Sequence, residues 1–441
     1  MLYSIYELNQ AFMQPMRAMI GLGGRLAKSP INPLSYTLPG RQAAAAFDVL
    51  EATTRRYGKP EWGLDTVKIN AAEVPVTPRT VASRPFCNLV HFERDPEALA
   101  AARGDKVDPR VLIVAPMSGH YATLLRGTVE AMLPEHDVYI TDWLDARMAP
   151  ISEGRFDLND FIDYLIDFFQ VIGPKAHGVA VCQPGPGLLS AIAVMSQDDD
   201  PALPASMTFM GSPIDARRSP TVANQLAMER SLDWFKGNMI YTVPWPYPGV
   251  FRRVYPGFVQ LYSFMSMNSD RHLNAHYEFF NHLVAGDGDS AQKHREFYDE
   301  YLSVMDITEE FYLQTIIDVF KEFKLANGEF QHRGRTVDVA AIRDVALLTV
   351  EGENDDISGI GQTQAAHDLC VNIPADRKFD YVQKNVGHYG VFNGSRWRDQ
   401  IQPRVRDLMR SGFDPAEERA IRQQVDRRRR REAIPLRIAA E

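Results

Sequence analysis

The sequence predicts an α/β fold, and three features of its 441 residues point there. The first is a set of short, unbroken apolar runs: "VLIVAP" (111–116), "DVYITDW" (137–143), "HGVAVC" (177–182) and "SMTFMGSP" (206–213). Such runs fit strands buried on both faces, as parallel strands are. The second is what lies between them. Residues 123–133, 158–171 and a stretch from about 187 have helical patterns, and strands alternating with helices build a parallel sheet covered on both sides. The third is an interruption. The alternation stops at about 215 and resumes late with "VALLTVEG" (345–352) and "KFDYVQ" (378–383).

The chain starts with "MLYSIYELNQAFMQPMRAMIGLGG", which is apolar but broken by Glu7 and Arg17. No basic segment precedes an uninterrupted apolar core, so the stretch predicts an amphipathic helix rather than a signal peptide. Residues 66–94 are rich in Val, Thr and Phe with turn signals between, and predict two or three antiparallel strands. The interruption at 215–335 is helical in pattern and dense in aromatic residues, and predicts an inserted cap. These signals divide the chain into an N-terminal helical segment (1–60), a first part of the core (61–214), the cap (215–335), a second part of the core (336–412) and a basic tail (413–441). In that tail the run Arg427–Arg431 is too charged to pack and predicts a solvated helix or frayed end.

Bulk properties narrow the function. A formal net charge of −9 argues against a general nucleic-acid binder. Three cysteines, Cys87, Cys182 and Cys370, form no CxxC pair, so neither a disulfide framework nor a zinc site is indicated. Free thiols suit a reducing cytoplasm. No run approaches 18 uncharged apolar residues, so no transmembrane helix is expected. His272 and His276 have metal-ligand spacing without a supporting acid, and no metal is assigned to them. "GLGGRLA" (21–27) lacks the spacing and the preceding strand of a dinucleotide site, and no cofactor is expected.

The chemistry centres on "VAVCQPGPGLL" (179–189). Cys182 ends the third apolar run where two prolines and two glycines force a turn. An α/β-hydrolase arrangement places a nucleophile on such a strand-to-helix turn, an acid after a later strand and a histidine after the last one. All three places are filled in that order. Cys182 comes first, then Asp355 or Asp356 in "EGENDDISG", then His388 in "NVGHYGVF". A histidine takes the proton from a thiol, and a carboxylate orients the imidazole and steadies its charge. Backbone N–H groups stabilise the oxyanion. The first is that of Gln183, and the second comes from the loop after the first parallel strand, at Met117 or Ser118. His120 in the same loop is a competing base and a candidate for lining the pocket.

Together "VAVCQPGPGLLSA", "APMSGHYATLLRGTVEAMLPEHDVYITDW", "VEGENDDISG" and "NVGHYG" resemble intracellular poly(3-hydroxybutyrate) depolymerases, over roughly residues 1–412. The resemblance implies an α/β-hydrolase-like fold with Cys182 as nucleophile, Asp355 rather than Asp356 as acid, and His388 as base. The sequence departs from G-x-S-x-G, with Ala180 and Pro184 where that motif has glycines. The resemblance implies a substrate, the amorphous polyester of cytoplasmic granules, and an acyl-thioester intermediate released to water or to a thiol such as coenzyme A. Ring faces suit a polyester better than charges do, so Trp245 and Tyr247 in "VPWPYPGVF" are expected to bind it. Two alternatives stay open. One is a synthase-like, thiol-dependent acyltransferase using the same residues. The other is a non-catalytic granule-coating protein.

Overall fold

The computed structural model describes residues 2–267 and 269–433. Helices α1 (Leu2–Lys28) and α2 (Leu38–Thr54) pair as a hairpin. Their approach is close because α1 presents glycines: a Cβ on Gly23 would lie 2.7 Å from the Phe47 ring. Asn32 and Thr37 cap the turn and the start of α2 by accepting from the N–H groups of Leu34 and Gly40.

The core is a nine-stranded sheet. Strands β1 (Thr66–Ile69), β2 (Ala72–Arg84) and β3 (Cys87–Arg94) are antiparallel, as the Val- and Thr-rich segment predicts. Then follow β4 (Arg110–Val114), β5 (Asp137–Trp143), β6 (His177–Val181), β7 (Ser206–Met210), β8 (Ala346–Gly352) and β9 (Lys378–Gln383). The order is β1-β2-β3-β5-β4-β6-β7-β8-β9, with every neighbour from β5 to β9 parallel. All residues of β4 to β7 are buried, which explains their unbroken apolar pattern.

Strand β4 has β5 on one side and β6 on the other. The chain reverses its direction of progress there, so the loops after β4 and β6 diverge and leave a crevice at the carboxyl edge of the sheet. Helix α3 (Leu158–Ile172) starts in a capping box of Asp157 and Asp160 and buries Phe161, Leu165 and Phe168. Helix α4 (Gly185–Gln197) follows β6 directly. Residues 122–132 form a 3₁₀ turn (Ala122–Leu125) and then a short α-helix (Arg126–Met132).

The inserted cap is mainly helical, including Val222–Glu229, Gly257–Met267, Ser269–Ala285 and Gly288–Tyr301. Beside the mostly helical pattern that the sequence predicts, it holds short strands. Tyr241–Thr242, Arg253–Tyr255 and Ile307–Thr308 form a small sheet. Pro244, Pro246 and Pro248 lie between the first two, where they remove the backbone donors a helix needs.

The basic tail is helical as α5 (Pro415–Ala433). Its start is fastened to the core: the buried Arg110 donates to Glu418 at 2.6 and 2.9 Å, and Arg422 pairs with Asp137 at 2.9 Å. Residues 434–441 of the expected tail lie outside the described residues. Among the described residues no helix is long and apolar enough to cross a membrane.

Candidate active site

Cys182 follows β6 with φ of +67°, a left-handed conformation that a residue with a Cβ adopts at a cost. Two backbone bonds hold it there. Its N–H donates to Met210 at 2.8 Å, and its carbonyl accepts from Gly185 at 3.2 Å. The turn dispenses with glycines at 180 and 184 because close contact falls elsewhere. A Cβ on Gly185 would lie 2.4 Å from Ser212 Cβ, and one on Gly187 would lie 2.6 Å from the Phe161 ring. These two glycines let α4 settle against the loop after β7 and against α3.

His388 sits on a short 3₁₀ turn (His388–Val391) beyond β9 and is buried. Its Nδ1 lies 2.8 Å from Asp355 Oδ2. Burial pushes the imidazole's pKa down, but the charges of Cys182 and Asp355 and a hydrogen bond to each outweigh it, leaving the pKa well above the ordinary value. The structure therefore brings Cys182, His388 and Asp355 into one array. It places Asp355, not Asp356, against the histidine: Asp355 is buried and Asp356 exposed. The second oxygen of Asp355 accepts from the N–H groups of Ile357 (2.9 Å) and Ser358 (2.8 Å), which aims the first at the ring.

Two contributors were not visible in the sequence. Gly211 has φ of +56°, and a Cβ there would lie 3.1 Å from His388 and 3.2 Å from Asp355, so its bare backbone makes room for the pair. Glu351, buried near the end of β8, accepts from the N–H groups of Gly361, Thr363 and Gln364 at 2.8–3.1 Å. That bonding folds the loop carrying Asp355 back on the sheet. The "EG" and "GS" at these strand ends are the sole hints in the sequence, and neither shows its partner.

The loop after β4 is pinned by Ala115, whose N–H donates to Thr141 Oγ1 at 2.9 Å and whose carbonyl accepts from Trp143 at 2.8 Å. The Met117 N–H donates to the side-chain carbonyl of Gln183 at 3.2 Å. Met117, Ser118 and Gln183 thus meet beside Cys182, around one end of a cavity. His120 also lines the cavity, with Nε2 3.0 Å from the Tyr301 carbonyl. Burial pushes its pKa down to about 4, so it is neutral at pH 7 and ties the loop to the cap.

The cavity has a volume of about 450 Å³ and reaches from Cys182 and His388 into the cap. Its walls are mostly apolar, with Leu226, Phe235, Met239, Phe311 and Tyr312 among them. Trp245 and Tyr247 do not line it. Trp245 is 82% exposed, and Tyr247 bonds to Glu7 and Arg56 at 2.8 and 2.7 Å. The Tyr247 bonds tie this segment to the N-terminal residues rather than over the crevice. His272 and His276 do not converge on a common point: His272 bonds to Tyr298, and His276 packs on His294 and Tyr298. Among the described residues no group of three or more His, Cys, Asp or Glu is placed to hold a metal ion.

Comparison with known proteins gives three results. No curated protein is significantly similar in sequence. Solved structures with detectable likeness include a soluble variant of monoglyceride lipase from Saccharomyces cerevisiae (9% identity, 79% of this chain and 98% of that one, TM-score 0.43). Another is the meta-cleavage product hydrolase of Pseudomonas fluorescens IP01 (13% identity, 79% and 98%, TM-score 0.42). The fold assignment does not depend on these distant likenesses. The strand order, the turn at Cys182 and the loops bearing Asp355 and His388 make this an α/β-hydrolase fold with an inserted cap. Residues 211–412 match the family model described as PHB de-polymerase C-terminus, a stretch that holds the cap, Asp355 and His388. Through that region the chain is similar to the PHB depolymerase family.

Proposed function

We propose that this chain cleaves the ester bonds of poly(3-hydroxybutyrate) with Cys182 as nucleophile, His388 as general base and acid, and Asp355 as orienting carboxylate. The observation that carries the reading is the Cys182–His388–Asp355 array at the end of an apolar cavity roofed by the cap. The family-model match over residues 211–412 and the hydrolase fold support ester hydrolysis as the reaction class. The cysteine lies outside the matched region, so its role is argued from geometry.

His388 takes the thiol proton as sulfur attacks the ester carbonyl. The carbonyl oxygen gains charge and accepts from the backbone N–H of Gln183 and from that of Ser118, or from that of Met117 once the Gln183 side chain releases it. When the carbon–oxygen bond breaks, His388 returns the proton to the departing alkoxide, leaving a 3-hydroxyacyl thioester on Cys182. His388 then deprotonates water, which attacks the thioester and releases the acid and the thiol. An external thiol such as coenzyme A would instead release a new thioester. The apolar walls suit methyl and methylene groups, and their few polar groups suit ester oxygens. A site on native granules in the cytoplasm follows from the substrate.

The test is to incubate pure protein with amorphous polymer granules, with and without coenzyme A, and to identify the products. Release of 3-hydroxybutyrate or its oligomers, absent with Cys182→Ala, is expected. Polymer formed from 3-hydroxyacyl-CoA would replace this reading with acyl transfer. Granule binding with no cleavage would replace it with a coating role.

A further inference from the structure

Helix α1 is apolar on both sides. Its inner face is occupied: Tyr6 stacks on Phe258 at 4.0 Å between ring centroids, and Tyr3 donates to the buried Asp306 at 2.5 Å. Its outer face faces solvent with Leu8, Phe12, Met19, Leu22 and Leu26, spaced to form one stripe. Phe12 is 74% exposed and Met19 72%. From Leu8 to Leu26 the stripe runs about 27 Å at a rise of 1.5 Å per residue. It continues around the turn through Ile31, which is 91% exposed, and Leu34. Soluble monomers rarely expose so continuous an apolar strip without a use for it.

The charges around this strip name its partner. Arg17, the one charge between Leu8 and Gly24, is half-buried and bonds to Gln10. The acids of the hairpin are all engaged: Glu7 with Arg56, Asp48 with Lys28, and Glu51 with Arg55. Arg25 and Arg41 are exposed beside the turn, with no acidic partner among the described residues. The unmatched charge at this end is therefore cationic, on a chain of net charge −9. A second copy of the same face would bring the same cations and no acid to meet them. An anionic layer over an apolar interior matches both features.

We propose that the outer face of α1 and the turn after it lie flat on a surface of anionic lipids, with the apolar stripe sunk between headgroups and Arg25 and Arg41 against their charges. This contact is separate from the cavity and does not depend on the reaction. The inner-face contacts hold α1 to the body, so adsorption brings the whole enzyme to the surface.

The experiment is flotation of the full chain with vesicles of phosphatidylglycerol or of phosphatidylcholine. The protein is expected to float with the anionic vesicles and to remain behind with the zwitterionic ones. Phe12→Glu with Met19→Glu should lower partitioning by at least about tenfold, through loss of buried apolar area. Arg25→Glu with Arg41→Glu should abolish the preference for anionic lipid. All these positions are exposed, so an unchanged melting temperature serves as the folding control. The proposal is overturned if the parent fails to bind anionic vesicles, binds both kinds equally, or binds no better than Phe12→Glu/Met19→Glu. It is also overturned if light scattering shows a dimer that this double variant dissociates.

Discussion

Cys182, His388 and Asp355 each have a distinct expected phenotype. Cys182→Ala should reduce ester cleavage by at least about a thousandfold with the fold intact, since the array's other members cannot supply a nucleophile. Alkylation should inactivate through Cys182 and not through Cys87, which is fully buried and whose pKa burial pushes well up. Asp355→Asn should cost about four orders of magnitude in kcat by leaving His388 in the wrong tautomer, whereas Asp356→Asn should cost little. A more severe Asp356 variant would reassign the acid. The sequence could not separate these neighbours, because both leave the same strand in the same loop. Their difference is made by the backbone N–H groups of Ile357 and Ser358, which bind Asp355 and turn it inward.

Loops and helices set the next level, and much of what positions the site acts there. Glu351→Gln would keep an amide oxygen for the N–H groups of Gly361, Thr363 and Gln364, which Oε1 now serves, but would remove the charge they share and turn an NH2 donor toward the Gly361 N–H that Oε2 also accepts from. It should cost about 1–3 kcal/mol in thermal or denaturant melts and lower kcat by loosening the Asp355 loop. Unchanged kcat would limit Glu351 to a purely structural role. The docking of α1 should depend on pH. Asp306 faces Tyr3, Asp145 and Arg147, and burial first, then the charge of Asp145, raises its pKa to about 7. A raised carboxyl binds its proton more tightly when folded, so its contribution to stability is full below about pH 4 and fades up to about pH 7. Asp306→Asn should flatten this part of the stability–pH curve while leaving the part due to Asp145, also raised by burial. A curve with the parent's full slope would show that Asp306 does not titrate there. Elements of this kind were unevenly legible. Strands β4 to β8 could be read because continuous runs mark burial on both faces, whereas β9 lies at the sheet edge with only Gln383 buried. The cap strands could not, since two or three residues carry no periodicity and one of their two pairings joins residues more than 50 apart, Ile307 with Tyr255 and Thr308 with Val254. The proline-rich segment was legible as non-helical but not as a strut to the N-terminal hairpin, because the Tyr247 contacts with Glu7 and Arg56 join residues 240 and 191 apart.

Across the whole molecule, one sheet edge collects everything the site needs. The ends of β4, β6, β7 and β8 lie side by side, with Val114 opposite Ala180 and Val181 and Val350 both opposite Met210. The cap then closes over that edge. The order of Cys182, Asp355 and His388 along the chain was legible because this topology dictates where the loops that carry them must fall. The cavity was not, because its walls combine residues from both sides of the interruption, and an aromatic residue reads alike whether it lines a cavity or fills a core. The left-handed backbone at Cys182 carries a consequence of a different kind. Cys182→Gly and Cys182→Ala both delete the thiol and differ by a single methyl group, which only alanine must force into a conformation unfavourable to it. The glycine variant should therefore be the more stable of two inactive proteins by about 1 kcal/mol, against the usual ranking of these residues. Differential scanning calorimetry of the pair would measure what the left-handed turn costs a residue that carries a Cβ, and equal melting temperatures would mean that it costs nothing.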